Sequence, residues 1–162
     1  MKDSTACFTG HRSIPTEEHS MISKRLTDLL VKLIHRGYRH FCAGGALGFD
    51  TLAAQAVLSL KHQYPQIRLI LVLPCLSQAK NWSEHDQAVY EYMKTHADEV
   101  IYTAQIHSKG CMHRRNRHLV DHSSICICYL TKTTGGTAYT VNYAKTQGLE
   151  VIHIAQSTDR RQ

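Results

Sequence analysis

No segment of the 162 residues approaches the roughly 18 consecutive apolar positions that a membrane-crossing helix needs. The opening MKDSTACFTGHR lacks the apolar stretch of a secretory leader, so a cytoplasmic location with no membrane partner is the expectation. Proline occurs three times, and no internal repeat, low-complexity tract or linker interrupts the chain. None of the six cysteines belongs to a C-x-x-C pair, which removes the usual zinc and thiol-redox signatures. Two phosphate motifs are missing as well. Nothing matches G-x-x-x-x-G-K-[ST] or G-x-G-x-x-G, which disfavours a P-loop nucleoside triphosphatase and a dinucleotide site of the usual pattern.

What is present is the composition of a folded domain, 43% hydrophobic and 20% charged. The length suits one core, and a single domain over residues 1–156 followed by a flexible tail, 157–162, is expected. Lys and Arg total 19 against 13 Asp and Glu, a net charge of +6 that favours nucleotides or nucleic acid as partners. Cys7, Cys42, Cys126 and Cys128 fall in strand-like stretches, where a free thiol behaves as a small hydrophobe.

Short apolar runs alternate with amphipathic ones. Strands are predicted at Ala6–Thr9, His40–Ala43, Ile67–Leu73, Glu99–Thr103, Ile125–Leu130 and Glu150–Ile154. Between the first two, Leu26, Leu29, Leu30, Leu33 and Ile34 repeat at helical spacing before Gly37. Further helices are expected from Phe49 or Asp50 to about Leu60, after Ser83 as N-cap with Asp86 three residues on, over His113–His122, and over Ala138–Gln147 ahead of Gly148. Such alternation gives an open, doubly wound α/β sheet, whose ligands sit beyond the carboxyl ends of the strands.

Three predicted strand-to-helix turns carry glycine and belong at that edge: FTGHR, AGGALGFD and TKTTGGTAYT. Glycine lets backbone approach an anion, and helix N-termini offer free amides to it. Together the turns point to a phosphate or nucleotide site.

The succession CFTGHR, AGGALGFD, QAKNWSEHDQ, GCMHRRNRHLVDHSS and GGTAYTVNYAKTQG resembles the YpsA-like branch of the SLOG superfamily, whose relatives include DprA/Smf and the LOG phosphoribohydrolases. The resemblance implies a Rossmann-like three-layer α/β sandwich with a mainly parallel sheet of about six strands, and a pocket for nucleotide-derived ligands. LOG relatives also make a homodimer a possibility by analogy.

The ligand-binding set expected on these grounds is Thr9, Gly10, Arg12, Gly44, Gly45, Gly48, Asp50, Trp82, Arg115, Asn116, Gly135, Gly136, Thr137 and Tyr139. Arg12, Arg115 and Arg117 carry guanidinium groups that clamp phosphate in bidentate fashion, although most charge runs are solvated faces. MHRRN resembles the MHxRK of LOG enzymes at Arg115, and RNR equally resembles DprA. Asp50 reads as a helix cap, as an acceptor for ribose hydroxyls, or as a carboxylate beside a reacting centre. Thr137 either caps the last helix or donates to phosphate. Tyr139 and Tyr143, four apart, pack in the core or stack on a base, and Trp82 in a polar loop suits a lid. His118 and His122, also four apart, are surface histidines rather than metal ligands, and neither a metal nor a cofactor is expected.

Catalysis is disfavoured. The LOG pattern PGGxGTxxE matches at Gly135 and Gly136, but its glutamate positions fall on Val141 and Asn142. Cleaving an N-glycosidic bond builds positive charge on the sugar, which a carboxylate stabilises. Helix N-termini contribute about 0.3–1 kcal/mol toward an anion and a hydrogen bond to a charged group about 1.5–3. Bare phosphate would then bind only near millimolar, about 4 kcal/mol. Base and ribose contacts are needed, and Phe49, Trp82 and Tyr139 are the candidates. The expectation is a nucleotide binder or sensor without catalysis. Single-stranded DNA binding in the manner of DprA, or LOG-like hydrolysis of a nucleoside 5'-monophosphate with altered residues, is the alternative.

Overall fold

The computed structural model describes residues 1–155, and the expected tail at 157–162 lies outside the described residues. Six strands, β1 (Thr5–Gly10), β2 (His40–Ala43), β3 (Arg68–Leu73), β4 (Glu99–Tyr102), β5 (Ile125–Tyr129) and β6 (Glu150–His153), alternate with five helices. The helices are α1 (His19–His35), α2 (Phe49–Lys61), α3 (Glu84–His96), α4 (Cys111–Asp121) and α5 (Gly136–Thr146). Every strand pairing is parallel, in the order β4-β3-β2-β1-β5-β6. All six predicted strands and five predicted helices form, with ends displaced by one or two residues, as fraying ends allow.

Burial on both faces explains the apolar strands. Ala6, Phe8, Phe41, Leu69, Leu71, Ile125 and Ile127 pack against α1, α2 and α3 through Leu26, Leu30, Phe49, Val57 and Met93. The alternate residues Cys7, Cys42, Ile70, Val72 and Cys126 meet Leu119 and Val120 of α4 and Ala144 of α5. The first layer carries the buried aromatic side chains, the second the strand cysteines with aliphatic partners. Cys7 stands in register between Cys42 and Cys126, and all six cysteines are free and buried. Burial pushes the Cys42 and Cys128 thiols up to about 12, which keeps them protonated and unreactive.

The order in which strands are added reverses at β1. The chain steps outward from β1 to β4, then returns through α4 to place β5 on the other side of β1. The pair Gly10 and Tyr129 ends this β1–β5 ladder. Turns leaving the two strands diverge, one toward α1 and the other toward α5, and a crevice opens between them.

Candidate functional site: a cationic cleft at the strand switch point

His11 ties the three turns together. Its Nε2 accepts the Thr131 N–H at 2.9 Å from the turn after β5, and its backbone carbonyl accepts the Phe49 N–H at 3.1 Å from the first residue of α2. An Nε2 that accepts leaves the ring proton on Nδ1. Burial and then the neighbouring Lys132 charge lower the His11 pKa, in keeping with a neutral ring.

The cleft bounded by these turns has a volume of about 470 Å³, within the range of small-molecule sites, roughly 300–1,000 Å³. Arg12, Arg115 and Lys132 line it against one carboxylate among the described residues, Asp50. The two arginines differ. Arg115 is 4% exposed. Its Nη1 donates to the carbonyls of Gly44 and Val72 at the ends of β2 and β3, and its Nε donates to Asn116 Oδ1 at 2.8 Å. Arg12 is exposed and joins no ion pair among the described residues. The thioether of Met112 lies 3.8 Å from Nη2 of each, a weak acceptor shared by two cations.

Asp50 is the second residue of α2, not its cap; Gly48 holds the cap position. The carboxylate instead reaches back to accept the Ala46 N–H at 3.2 Å. Burial raises its pKa, opposed by Arg115, the Ala46 amide, Arg12 and the Gly44 amide. Desolvation in turn lowers Arg115, opposed by Asp50. A buried charge needs such compensation.

The glycines divide by purpose. A Cβ on Gly44 would stand 2.5 Å from Arg115 Nη1 and 2.9 Å from Asp50 Oδ2, and one on Gly10 would enter the Phe49 ring. Gly48, at φ +76°, has the Arg12 carbonyl where a side chain would be. Gly45 turns toward Leu73 and Tyr90. These four admit close contact with other protein atoms, and Gly48 lets one turn pack on another. Gly135 and Gly136 have nothing within 4 Å of an added Cβ and line the cleft. Gly135 caps α5 without any side-chain hydrogen bond, so the helix presents its first turn to the opening.

Of the expected site residues, the cleft gathers Thr9, Gly10, Arg12, Asp50, Arg115, Asn116, Gly135, Gly136 and Thr137. Gly44 backs it against Arg115 and Asp50, whereas Gly45 faces Leu73 and Tyr90, which do not line it. Trp82 stands apart: it packs edge-on against Tyr90, centroids 5.2 Å apart, beside a separate groove of about 290 Å³ between α2 and α3 that Gly48 also lines. The Tyr90 ring draws it to the α3 side of the turn, away from a lid position over this cleft. Tyr139 is not among the residues lining the cleft; its ring centroid lies 4.3 Å from that of His113, which does line it. Val141 is in the core, while Asn142 lies outside the cleft. His118 and His122 stack at 4.1 Å on the outer part of α4, and among the described residues no group of three or more His, Cys, Asp or Glu is arranged to hold a metal ion.

Sequence reasoning missed His11, Met112, His113, Lys132 and Thr134. The GHR and MHRRN motifs contain three of them, but which of adjacent polar residues turns inward depends on helix phase.

The family model described as the YspA SLOG family matches residues 7–155. The chain belongs to the YpsA SLOG family. Among relatives, the uncharacterised SPbeta prophage-derived protein YoqJ of Bacillus subtilis is 30% identical over 137 residues, covering 76% of this chain and 80% of that protein. A UPF0398 protein of Bacillus cereus is 28% identical over 130 residues, covering 78% and 71%. Two solved structures share the fold. DNA processing protein A of Streptococcus pneumoniae superposes with a TM-score of 0.68 at 18% identity, over 94% of this chain and 50% of that one. DNA processing protein A of Helicobacter pylori, described for its single-stranded DNA binding mode, gives 0.68 at 16% identity, over 94% and 65%. The family member described here therefore spans one half to two thirds of those two chains.

Proposed function

We propose that this protein binds a nucleotide or nucleotide-derived phosphate ligand in the cleft at the β1–β5 switch point, without turning it over. The supporting observation is an exposed guanidinium that joins no ion pair among the described residues, Arg12, lining the same cleft as the uncapped first turn of α5. Lys132 adds a cation, and the buried Arg115 holds the floor. An anion there would accept from the Arg12 guanidinium, which otherwise meets the weak Met112 thioether, and from the first-turn amides of α5.

Thermal-shift and calorimetric screening against mononucleotides, cyclic nucleotides and ribosylated relatives tests this. A ligand at a hundred times its Kd stabilises by about 2.7 kcal/mol, which raises Tm by roughly 5–10 °C in a chain of this size. Arg12→Ala is expected to reduce the shift. An equal shift in wild type and variant would refute the reading. Arg115→Ala is the poorer probe, because that side chain also holds the strand ends.

Two considerations weigh against turnover. The cleft's one carboxylate among the described residues already accepts the Ala46 amide, and the LOG glutamate positions are occupied by Val141 and Asn142. Incubation with nucleoside monophosphates is expected to release no free base.

Single-stranded DNA binding is the second reading, favoured by the net charge of +6 and by what the Helicobacter pylori protein binds. It requires affinity that falls steeply with salt.

A further inference from the structure

We infer that Tyr139 and His113 form the platform on which the base of the ligand rests, so that the cleft selects nucleoside phosphates over sugar phosphates. This rests on the cleft being a phosphate site. Three aromatic residues are available for a base by sequence, and the fold separates them. Phe49 is fully buried, 0% exposed, between Phe8 and Tyr129. Trp82 belongs to the groove between α2 and α3. Tyr139 is 38% exposed, one turn along α5 from Gly136, and its ring touches that of the cleft-lining His113.

Its surroundings hold the ring in place. Arg117 Nη1 donates to the Tyr139 hydroxyl at 3.0 Å, and the His113 ring lies against it at 4.3 Å with the planes inclined by 59°. The pair joins α4 to α5, with His113 as its cleft-lining member. A fixed aromatic face loses little freedom when a base settles on it, and Arg117 beside it adds a cation for π-stacking. The cleft volume of about 470 Å³ also exceeds what a phosphate alone fills. With the phosphate at the first turn of α5 and Arg12, a base leaving the cleft on the α4 side meets this pair.

Calorimetry with AMP, GMP, CMP and UMP, each compared with ribose 5-phosphate, tests the inference on wild type, Tyr139→Leu, Tyr139→Phe and Arg12→Ala. Wild type is expected to prefer at least one mononucleotide over ribose 5-phosphate by about tenfold or more, the scale of one base stacked on an aromatic ring. Tyr139→Leu is expected to erase that preference and leave ribose 5-phosphate affinity and Tm unchanged. Tyr139→Phe keeps the ring, loses the Arg117 bond and is expected to retain most of the preference. Arg12→Ala weakens all five ligands alike. An undiminished mononucleotide preference in Tyr139→Leu overturns the platform while leaving the phosphate site standing. Failure of every ligand to bind wild type overturns both.

Discussion

Arg12 and Arg115 are chemically identical and energetically opposite. One stands in water and is free to meet a ligand; the other has exchanged water for the Gly44 carbonyl and the field of Asp50. Removing Arg115 leaves a buried acceptor unpaired and a buried carboxylate uncompensated, and breaking such a pairing costs about 3–5 kcal/mol. Urea denaturation of Arg115→Ala is expected to show a loss of that size, whereas Arg12→Ala should stay within about 0.5 kcal/mol of wild type, as exposed sites do. Equal stabilities would mean that the buried guanidinium is not holding the strand ends. Glycines separate in the same way. Gly44→Ala forces a methyl group into Arg115 and is expected to destabilise by about 1–3 kcal/mol. Gly136→Ala meets nothing within 4 Å, gains helix propensity of up to about 1 kcal/mol, and should weaken ligand binding without harming the fold.

At the scale of elements, the turns after β1, β2 and β5 act as one unit because His11 bonds to both of the others. His11→Ala removes the acceptor for Thr131, and hydrogen exchange over residues 131–137 should accelerate while β1 stays protected. Unchanged exchange would show that the turn holds itself. Helix α3 illustrates a purely local rule: Ser83 Oγ accepts the Asp86 N–H at 3.1 Å, as the capping pattern predicts. Ser83→Ala should cost about 1 kcal/mol, read as a lower urea midpoint at constant m-value. The cap reading of Asp50 follows the same rule and does not form, because Gly48, packed under the Arg12 carbonyl, takes the position first.

For the whole molecule, charge and burial set the response to solvent. Burial lowers the pKa of His11, His40 and His118 below the ordinary value of about 6.5. Between the lowered native values and about 6.5 the unfolded chain binds more protons than the native one, so stability is held above that window and falls as pH drops through it. Tm is therefore expected to decline from pH 7 toward pH 5. A flat profile would contradict the burial of these rings. The net charge of +6 draws anions from a distance, but a single phosphate releases few counterions. Binding with a shallow salt dependence therefore favours a nucleotide, and a steep one favours DNA.

The six strands, the five helices and the edge where the glycine turns collect were legible in the sequence, because alternating burial and helical spacing are local properties of the chain. That Arg115 would be buried while Arg12 remained exposed was not legible, since both follow similar basic motifs. Neither was the purpose of each glycine: Gly44 and Gly48 admit protein atoms, while Gly135 and Gly136 face open space. Periodicity fixes which way a residue points along its own element, so sequence alone determined an α/β sheet with its candidate site at one rim. Which groups meet there depends on the return of α4 over β2 and β3 and on the reversal at β1. Those are contacts between residues far apart in the chain, and only the packed tertiary structure decided them.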